Sequence, residues 1–273
     1  MSAADTNPAN LGDLVDIGAN LSHRSFHADR DAVLERARVA GVRRIVVTGT
    51  SPNASRAAWE IAHAHPAMLR STAGVHPHEA RRWDAATREA IAELLARPEV
   101  AAAGECGLDY DRDFSPRDKQ REAFAAQLAL AAETKKPVFL HEREAGADFT
   151  AILREHRPHL ARGVVHCFTG DAEAIDRYLA LDLHIGITGF ICDERRGLHL
   201  RELVRRIPAG RLMVETDAPF LTPRDLRPQP PRGRNEPSLL PHVLRTVAAA
   251  RGEAPEVTAA HTTATARAFF GWA

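Results

Sequence analysis

Five short apolar runs in this chain end in side chains of the kind that hold metal ions. They are Gly-Val-His76-Pro-His78, Gly-Glu105-Cys-Gly-Leu-Asp109, Val-Phe-Leu-His141, Val-Val-His166-Cys and Val-Glu215-Thr-Asp217-Ala-Pro. Neutral imidazoles and carboxylates are common ligands of divalent cations, and a carboxylate beside such a cation can take a proton from water. The steps from His76 through Glu105, His141 and His166 to Asp217 are 29, 36, 25 and 51 residues. The first three are each about one strand-plus-helix unit, and the last is about two. Polar groups at the same end of successive parallel strands converge in space, however far apart they lie in sequence.

Each residue also has an ordinary reading. A lone histidine at a strand end is more often a hydrogen-bonded structural residue, and Glu105 could simply pair with an arginine. Five such positions in one series favour a site. Ala103, Gly104 and Gly107 are small and would clear space around the Glu105 carboxylate. Asp217 could ligate a cation or accept a proton. His76 and His78 flank Pro77, and only one is expected to face the site; His76, nearer the strand, is the choice. Asn20 falls at the end of the first strand. Arg143, two residues past His141, could contact an anionic substrate or be a solvated arginine. Arg232, Arg234, Asn235 and Glu236 form a polar cluster in which arginine suits phosphate oxygens, although Arg234 and Glu236 could only fasten the loop. The run Asp193-Glu194-Arg195-Arg196 reads as loop charge. Cys106 and Cys167 directly follow proposed ligands, so strand alternation points them away from the site.

The elements that must position these residues are legible as apolar, β-branched runs, each followed by an amphipathic stretch. Strands are expected at 14–17, 44–48, 69–74, 100–105, 137–141, 163–166, 184–187 and 212–215. Helices are expected at 29–40, 53–65, 85–96, 116–134, 147–156, 172–181, 198–207 and 238–250, with a ninth, 255–270, packed on the outside. Ser115-Pro116 suggests an N-cap followed by proline at the first helical position, Gly41 a helix stop, and Lys136-Pro137 a barrier to continued helix. Eight such units in series predict a closed (βα)8 TIM barrel. An open doubly wound sheet is the alternative. Residues 1–12 read as a flexible N-terminal tail and 13–273 as one barrel domain, with 225–237 a long loop after strand eight.

Composition narrows the class. Hydrophobic residues make up 44% and charged residues 26% of the 273, a globular balance. Thirty-six basic side chains match thirty-six acidic ones, which excludes a broad basic nucleic-acid face but not a narrow cleft. No apolar run approaches the ~20 residues of a membrane span, and the first residues show no signal-type apolar segment. Three cysteines without CxxC spacing argue against a disulfide framework and for a cytoplasmic setting.

The segments AGVHPHE, GECGLDYDR, PVFLHER, HCFTG, GITGFICDERRG, ETDAPFLTPRDL and GRNEP, in this order, resemble the TatD family of metal-dependent deoxyribonucleases, within the amidohydrolase-like barrels. The likeness runs from about Asp16 to Gly271. DIGANL together with CDERRG is most similar to the branch that gives the family its name. The resemblance implies a 3′→5′ exonuclease acting on single-stranded DNA and RNA with Mg²⁺; imidazoles with carboxylates also suit Mn²⁺ or Zn²⁺, and a monomer is expected. It implies Glu105, His141 and His166 as metal ligands, Asp217 as ligand or general base, and His76 as a contact to substrate or its leaving group.

Many relatives carry a His-x-His pair at the end of strand one; here Gly18 and Asn20 stand in those positions. The loss of two nitrogen ligands predicts one firmly held cation, with a second held loosely by Glu105, Asp217 and substrate phosphate, or absent. Glu142 and Gly146 likewise replace the Cys and His often found after the strand-five histidine. Rival readings are a barrel hydrolase of a small ester, amide or aminoacyl-tRNA ester, and a binding protein that has lost catalysis.

Overall fold

A computed structural model describes residues 11–272. Most of the expected tail, residues 1–10, lies outside the described residues. Eight strands form one sheet in sequential order: β1 Leu14–Ala19, β2 Val42–Val47, β3 Leu69–Ala73, β4 Val100–Asp109, β5 Val138–Arg143, β6 Gly163–Val165, β7 His184–Ile187 and β8 Leu212–Val214. Neighbouring strands are parallel throughout. The sheet closes at the C-terminal ends of β8 and β1, through a parallel bridge between Ala19 and Ala218. Asn20 N donates to Ala218 O at 2.7 Å, and Asp217 N to Gly18 O at 2.8 Å. The Asp16 carboxylate adds a side-chain clasp, accepting from Thr216 N at 2.9 Å and from Thr216 Oγ1 at 2.6 Å. The fold is therefore a (βα)8 barrel.

The helices are α1 Arg30–Val39, α2 Pro52–Ala64, α3 Ala85–Leu95, α4 Arg117–Thr134, α5 Gly146–His156, α6 Ala172–Ala180, α7 Leu198–Leu203, α8 Leu240–Arg251 and α9 Pro255–Phe270. Local chemistry sets several boundaries. Ser51 caps α2, with Pro52 in its first turn. Gly41 leaves α1 with φ +87°. Lys135 ends α4 in the left-handed region, just before Pro137. Ser115 does not cap α4 as expected. Its hydroxyl instead donates to His78 O at 2.8 Å and accepts from Arg81 N at 3.1 Å. That exchange ties the turn carrying the histidines to the start of α4.

Strand alternation divides the apolar residues between two cores. Leu14, Val42, Ile45 and Val47 belong to the larger one with the surrounding helices, whereas Val15, Ile17, Val46, Phe139, Val164 and Met213 belong to the smaller. Phe269, Phe270 and Trp272 at the end of α9 join that smaller core. The ninth helix is thus more than an outer layer: its final turn packs at the N-terminal strand ends, opposite the proposed site. Phe269 meets the ring of His184 edge-on at 5.0 Å at the start of β7.

His184 carries a pH signature. Burial, reinforced by the nearby Arg211 charge, pushes it down to about 4. The unfolded chain therefore takes up a proton near pH 6.5 that the folded chain resists until about pH 4. The stability that neutral His184 contributes is full above pH 6.5 and is lost as pH falls toward 4. His184→Gln, which can still donate to Gly163 O, is expected to flatten that part of the slope. Urea unfolding at pH 7.0, 5.5 and 4.5 reads it directly.

Candidate active site

The strand-end residues converge at the C-terminal mouth of the barrel. One oxygen of Glu105, Oε1, lies 2.7 Å from His166 Nε2, 2.9 Å from His141 Nδ1 and 3.2 Å from His76 Nε2. Donor atoms of His76, Glu105 and His141 all fall within 4.8 Å of one another. Glu105 is only 5% exposed, and an ionised carboxylate so placed needs positive partners. Burial opposes its ionisation, but the imidazoles of His166, His76 and His141 hold it well below the usual carboxylate range. In turn, burial works against protonating His166 and His141. The carboxylates of Glu105 and Glu215 nonetheless raise His166 well above its ordinary value, and Asp109 and Glu105 raise His141. Desolvation pushes His76 down to about 4 despite Glu105 beside it. The anionic oxygen thus gathers positive charge from imidazoles, and a divalent cation would take over that role as it displaced their protons. The donor set fits such an ion.

Two buried glutamines of α4, seven residues apart, hold the exits of β3 and β4. Gln127 accepts from Val75 N at 2.7 Å and donates to Val75 O at 3.0 Å, immediately before His76. Gln120 does the same for Asp109, at 2.8 and 3.1 Å. β4 runs on to Asp109 because it pairs with β5 through Gly107–His141 and Asp109–Arg143. A Cβ on Gly107 would lie 1.8 Å from His141 O, at a φ of +150°. This glycine admits the neighbouring backbone; it does not clear space for the carboxylate, as the sequence had suggested.

His76 and His78 both face the mouth, contrary to expectation. Pro77 opens a short 3-10 turn, so strand alternation no longer applies, and His78 N donates to His76 Nδ1 at 3.2 Å. His78 Nε2 lies 2.7 Å from Asp109 Oδ2, which is also 3.3 Å from His141 Nε2. Asp109 is held far below the carboxylate range, against its own desolvation, by hydrogen bonds from His141 and His78.

Across the mouth, Asp217 is half-buried, and desolvation pushes it up to about 7, with the Glu105 and Glu215 charges adding to the rise and His166 opposing it. Asn20 Nδ2 donates to Asp217 Oδ1 at 3.0 Å. Glu215, wholly buried, accepts from Cys167 N and approaches His166 Nδ1 at 3.4 Å. A Cβ added at Gly18 would stand 2.4 Å from Glu215 Oε2, and one at Gly186 2.6 Å from Oε1. Glycine in place of the first strand-one histidine therefore leaves the room that Glu215 fills. Cys106 packs in the outer core as expected. Cys167 does not follow the alternation rule: it lies past β6 with φ +48°, and its thiol feels the charges of Asp217, Glu215 and Arg143.

The arginines separate. Arg143, half-buried at the end of β5, makes no ion pair among the described residues. Arg234 is committed elsewhere, donating to both Asp29 oxygens at 2.8 and 2.7 Å and to Ser25 O at 2.7 Å. It fastens the long loop, the plainer of the two readings of its sequence. Arg232 stands exposed on the turn Pro231–Gly233 and is not brought into the cluster. Asn235 is buried and holds Thr216 O and Phe220 O. Asp193 binds Arg195 and Arg196 within its own loop. A second group of donors, Cys192, Asp225 and His242, lies outside this cluster, between the loops after β7 and β8 and α8.

Sequence reasoning left Glu215, Asp109 and His78 without roles. For the first two the signal was there: Met213 faces the inner core, so Glu215 and Asp217 follow on the same side of the strand path. Asp109 stands in the same relation to Glu105.

A (βα)8 barrel with imidazoles and carboxylates gathered at its strand C-termini defines a metal-dependent hydrolase of the amidohydrolase-like type. The chain belongs to the TatD family: the family model described as TatD related DNase matches residues 15–271. Relatives from Rahnella sp. and Erwinia amylovora, each named 3′-5′ ssDNA/RNA exonuclease TatD, are 51% and 52% identical to it. The alignments cover 94% of this chain and 98% and 100% of theirs. Among solved structures, a TatD homologue from Escherichia coli K12 superposes with a TM-score of 0.87 at 27% identity, over 96% of this chain and all of that one. A TatD family hydrolase from Entamoeba histolytica gives 0.86 at 25% identity, over 95% and 98%.

Proposed function

We propose that this protein is a metal-dependent 3′→5′ exonuclease of single-stranded DNA and RNA. The observation that carries the reading is the convergence of His76, His141 and His166 on one oxygen of Glu105 at the barrel mouth, with Asp217 alongside. Polarity and substrate class come from the relatives named for that activity, which match nearly the whole chain.

In this reading Glu105 and the imidazoles of His76, His141 and His166 hold the cation, so His76 moves from substrate contact to ligand. A divalent ion bound there polarises a phosphoryl oxygen and makes water more acidic. Asp217, its carboxylate oriented by Asn20, accepts the proton of the attacking water as the oxygen–phosphorus bond forms. The bond from phosphorus to the 3′-oxygen of the preceding nucleotide then breaks. His78, set by Asp109, is placed to return a proton to that oxygen. The Arg143 guanidinium receives the phosphate charge. Imidazole-rich shells suit Mn²⁺ or Zn²⁺, whereas Mg²⁺ prefers oxygen, so Mg²⁺ rests on the resemblance alone.

A monomer is the form expected to act. The three cysteines are free thiols, which agrees with a cytoplasmic setting. No helix among the described residues is long and apolar enough to cross a membrane.

The test incubates 5′-labelled single-stranded DNA, duplex DNA and RNA with protein in Mg²⁺, Mn²⁺ or Zn²⁺. A ladder shortening stepwise from the 3′ end of the single strands, stopped by chelator, is expected. Intact strands in every metal, with turnover of a small ester instead, would contradict the reading.

A further inference from the structure

Five large apolar side chains are exposed among the described residues, and only two are aromatic: Phe114 at 57% and Phe220 at 51%. Both lie at the barrel mouth. Phe114 is in the loop after β4 and Phe220 in the loop after β8. With eight strands in sequential order, these loops rise on opposite sides of the barrel. Each residue is also joined to the site, Phe114 through its ring and Phe220 through its backbone. Phe114 lies 4.7 Å, edge to face, from the ring of His78, itself hydrogen-bonded to Asp109. Phe220 N donates to Asp217 O at 3.0 Å, and its ring meets His23 at 5.6 Å in the loop after β1. The aliphatic exceptions, Val39, Leu198 and Val257, sit on or at the ends of outer helices.

We propose that Phe114 and Phe220 are nucleobase-stacking platforms that bracket the scissile phosphate, one base on each side of the metal cluster. The inference rests on the exonuclease reading and names how that substrate is held. An unpaired base presents two open π-faces, whereas a base inside a duplex presents none, so two such platforms select single strands. Stacking reads neither base identity nor the 2′-hydroxyl, which fits DNA and RNA alike. Beyond Phe220 the loop leads, through Leu221 and Thr222, into a cleft of about 570 Å³ where Arg196, Arg224 and Arg227 stand. Asp193 also lines it, paired with Arg195, Arg196 and, at 3.9 Å, Arg224, which leaves Arg227 unpaired with it. The phosphates of a strand leaving Phe220 therefore meet guanidinium groups, which is how a chain with no net charge grips a polyanion locally.

The test measures steady-state cleavage of a short single strand by wild type, Phe114→Ala and Phe220→Ala, with Trp and Leu replacements at both positions. Loss of one stacked base is expected to raise KM roughly 5- to 100-fold, with kcat at saturation changed far less. Trp should restore KM and Leu should not, which separates stacking from plain apolar packing. An abasic residue at the terminal or penultimate position should raise the wild-type KM similarly and add nothing in the variant lacking the matching platform. Unchanged KM in both alanine variants, or equal losses on intact and abasic strands, would overturn the inference while leaving the exonuclease reading in place. A wild-type protein that cleaves neither DNA nor RNA would overturn both.

Discussion

Replacing Glu105 by alanine is expected to lower kcat by about 10³-fold or more, a barrier increase of roughly 4 kcal/mol, and to abolish tight Mn²⁺ binding. Glu105 Oε1 is the point on which His76, His141 and His166 converge. Without it three imidazoles face one another with no anion between them, and of the two carboxylates that hold His166 high only Glu215 remains. Glu105→Gln tests the same point with little change of volume. The neutral amide keeps a ligating oxygen but loses the charge, so it should fall between wild type and alanine in metal affinity. The fold should survive, because His166 keeps Glu215 and His141 keeps Asp109 as a partner. Calorimetric Mn²⁺ titration, single-strand cleavage and thermal unfolding on the same samples separate these effects. Full activity in Glu105→Ala would end the case for this metal centre.

Asp217→Asn is expected to lower kcat by roughly 10²- to 10⁴-fold, as loss of a general base does, while leaving Mn²⁺ affinity nearly intact. Asparagine is the right replacement for two reasons. Asp217 has φ +54°, a conformation asparagine tolerates better than most residues, and its side-chain oxygen can still accept from Asn20. The contrast with Glu105 is the informative part. If Asp217 were mainly a ligand, the asparagine variant would lose metal affinity together with kcat. Metal titration beside turnover decides between base and ligand.

Much of the barrel was legible because eight apolar runs with β-branched residues alternate with eight amphipathic stretches, and a few boundaries carried a chemical signal such as Gly41 or Pro137. The convergence of His76, Glu105, His141, His166 and Asp217 followed from that order alone. What the sequence did not reveal depended on packing between distant segments. Glu215 has no role beside Asp217 until Gly18 and Gly186 are seen to make room for it. His78 required knowing that Pro77 starts a 3-10 turn, so that neighbouring positions need not point apart. Arg234 resembled a phosphate ligand because its partner, Asp29, lies on the far side of the sequence in the approach to α1. The end of α9 had the pattern of an outer helix, yet Phe269, Phe270 and Trp272 join the inner core. Strand-one glycine looked like a simple loss of a ligand. In the folded chain it is the space that a buried carboxylate occupies.

The central claim is that the cluster around Glu105 is the metal centre of a hydrolase. Anomalous diffraction from crystals of the full chain grown with Mn²⁺ tests it most directly. A manganese peak within ligand distance of Glu105 and at least two of His76, His141 and His166 is the predicted result. A map whose only manganese peak lies at Cys192, Asp225 and His242, or which holds none at the barrel mouth, would contradict it.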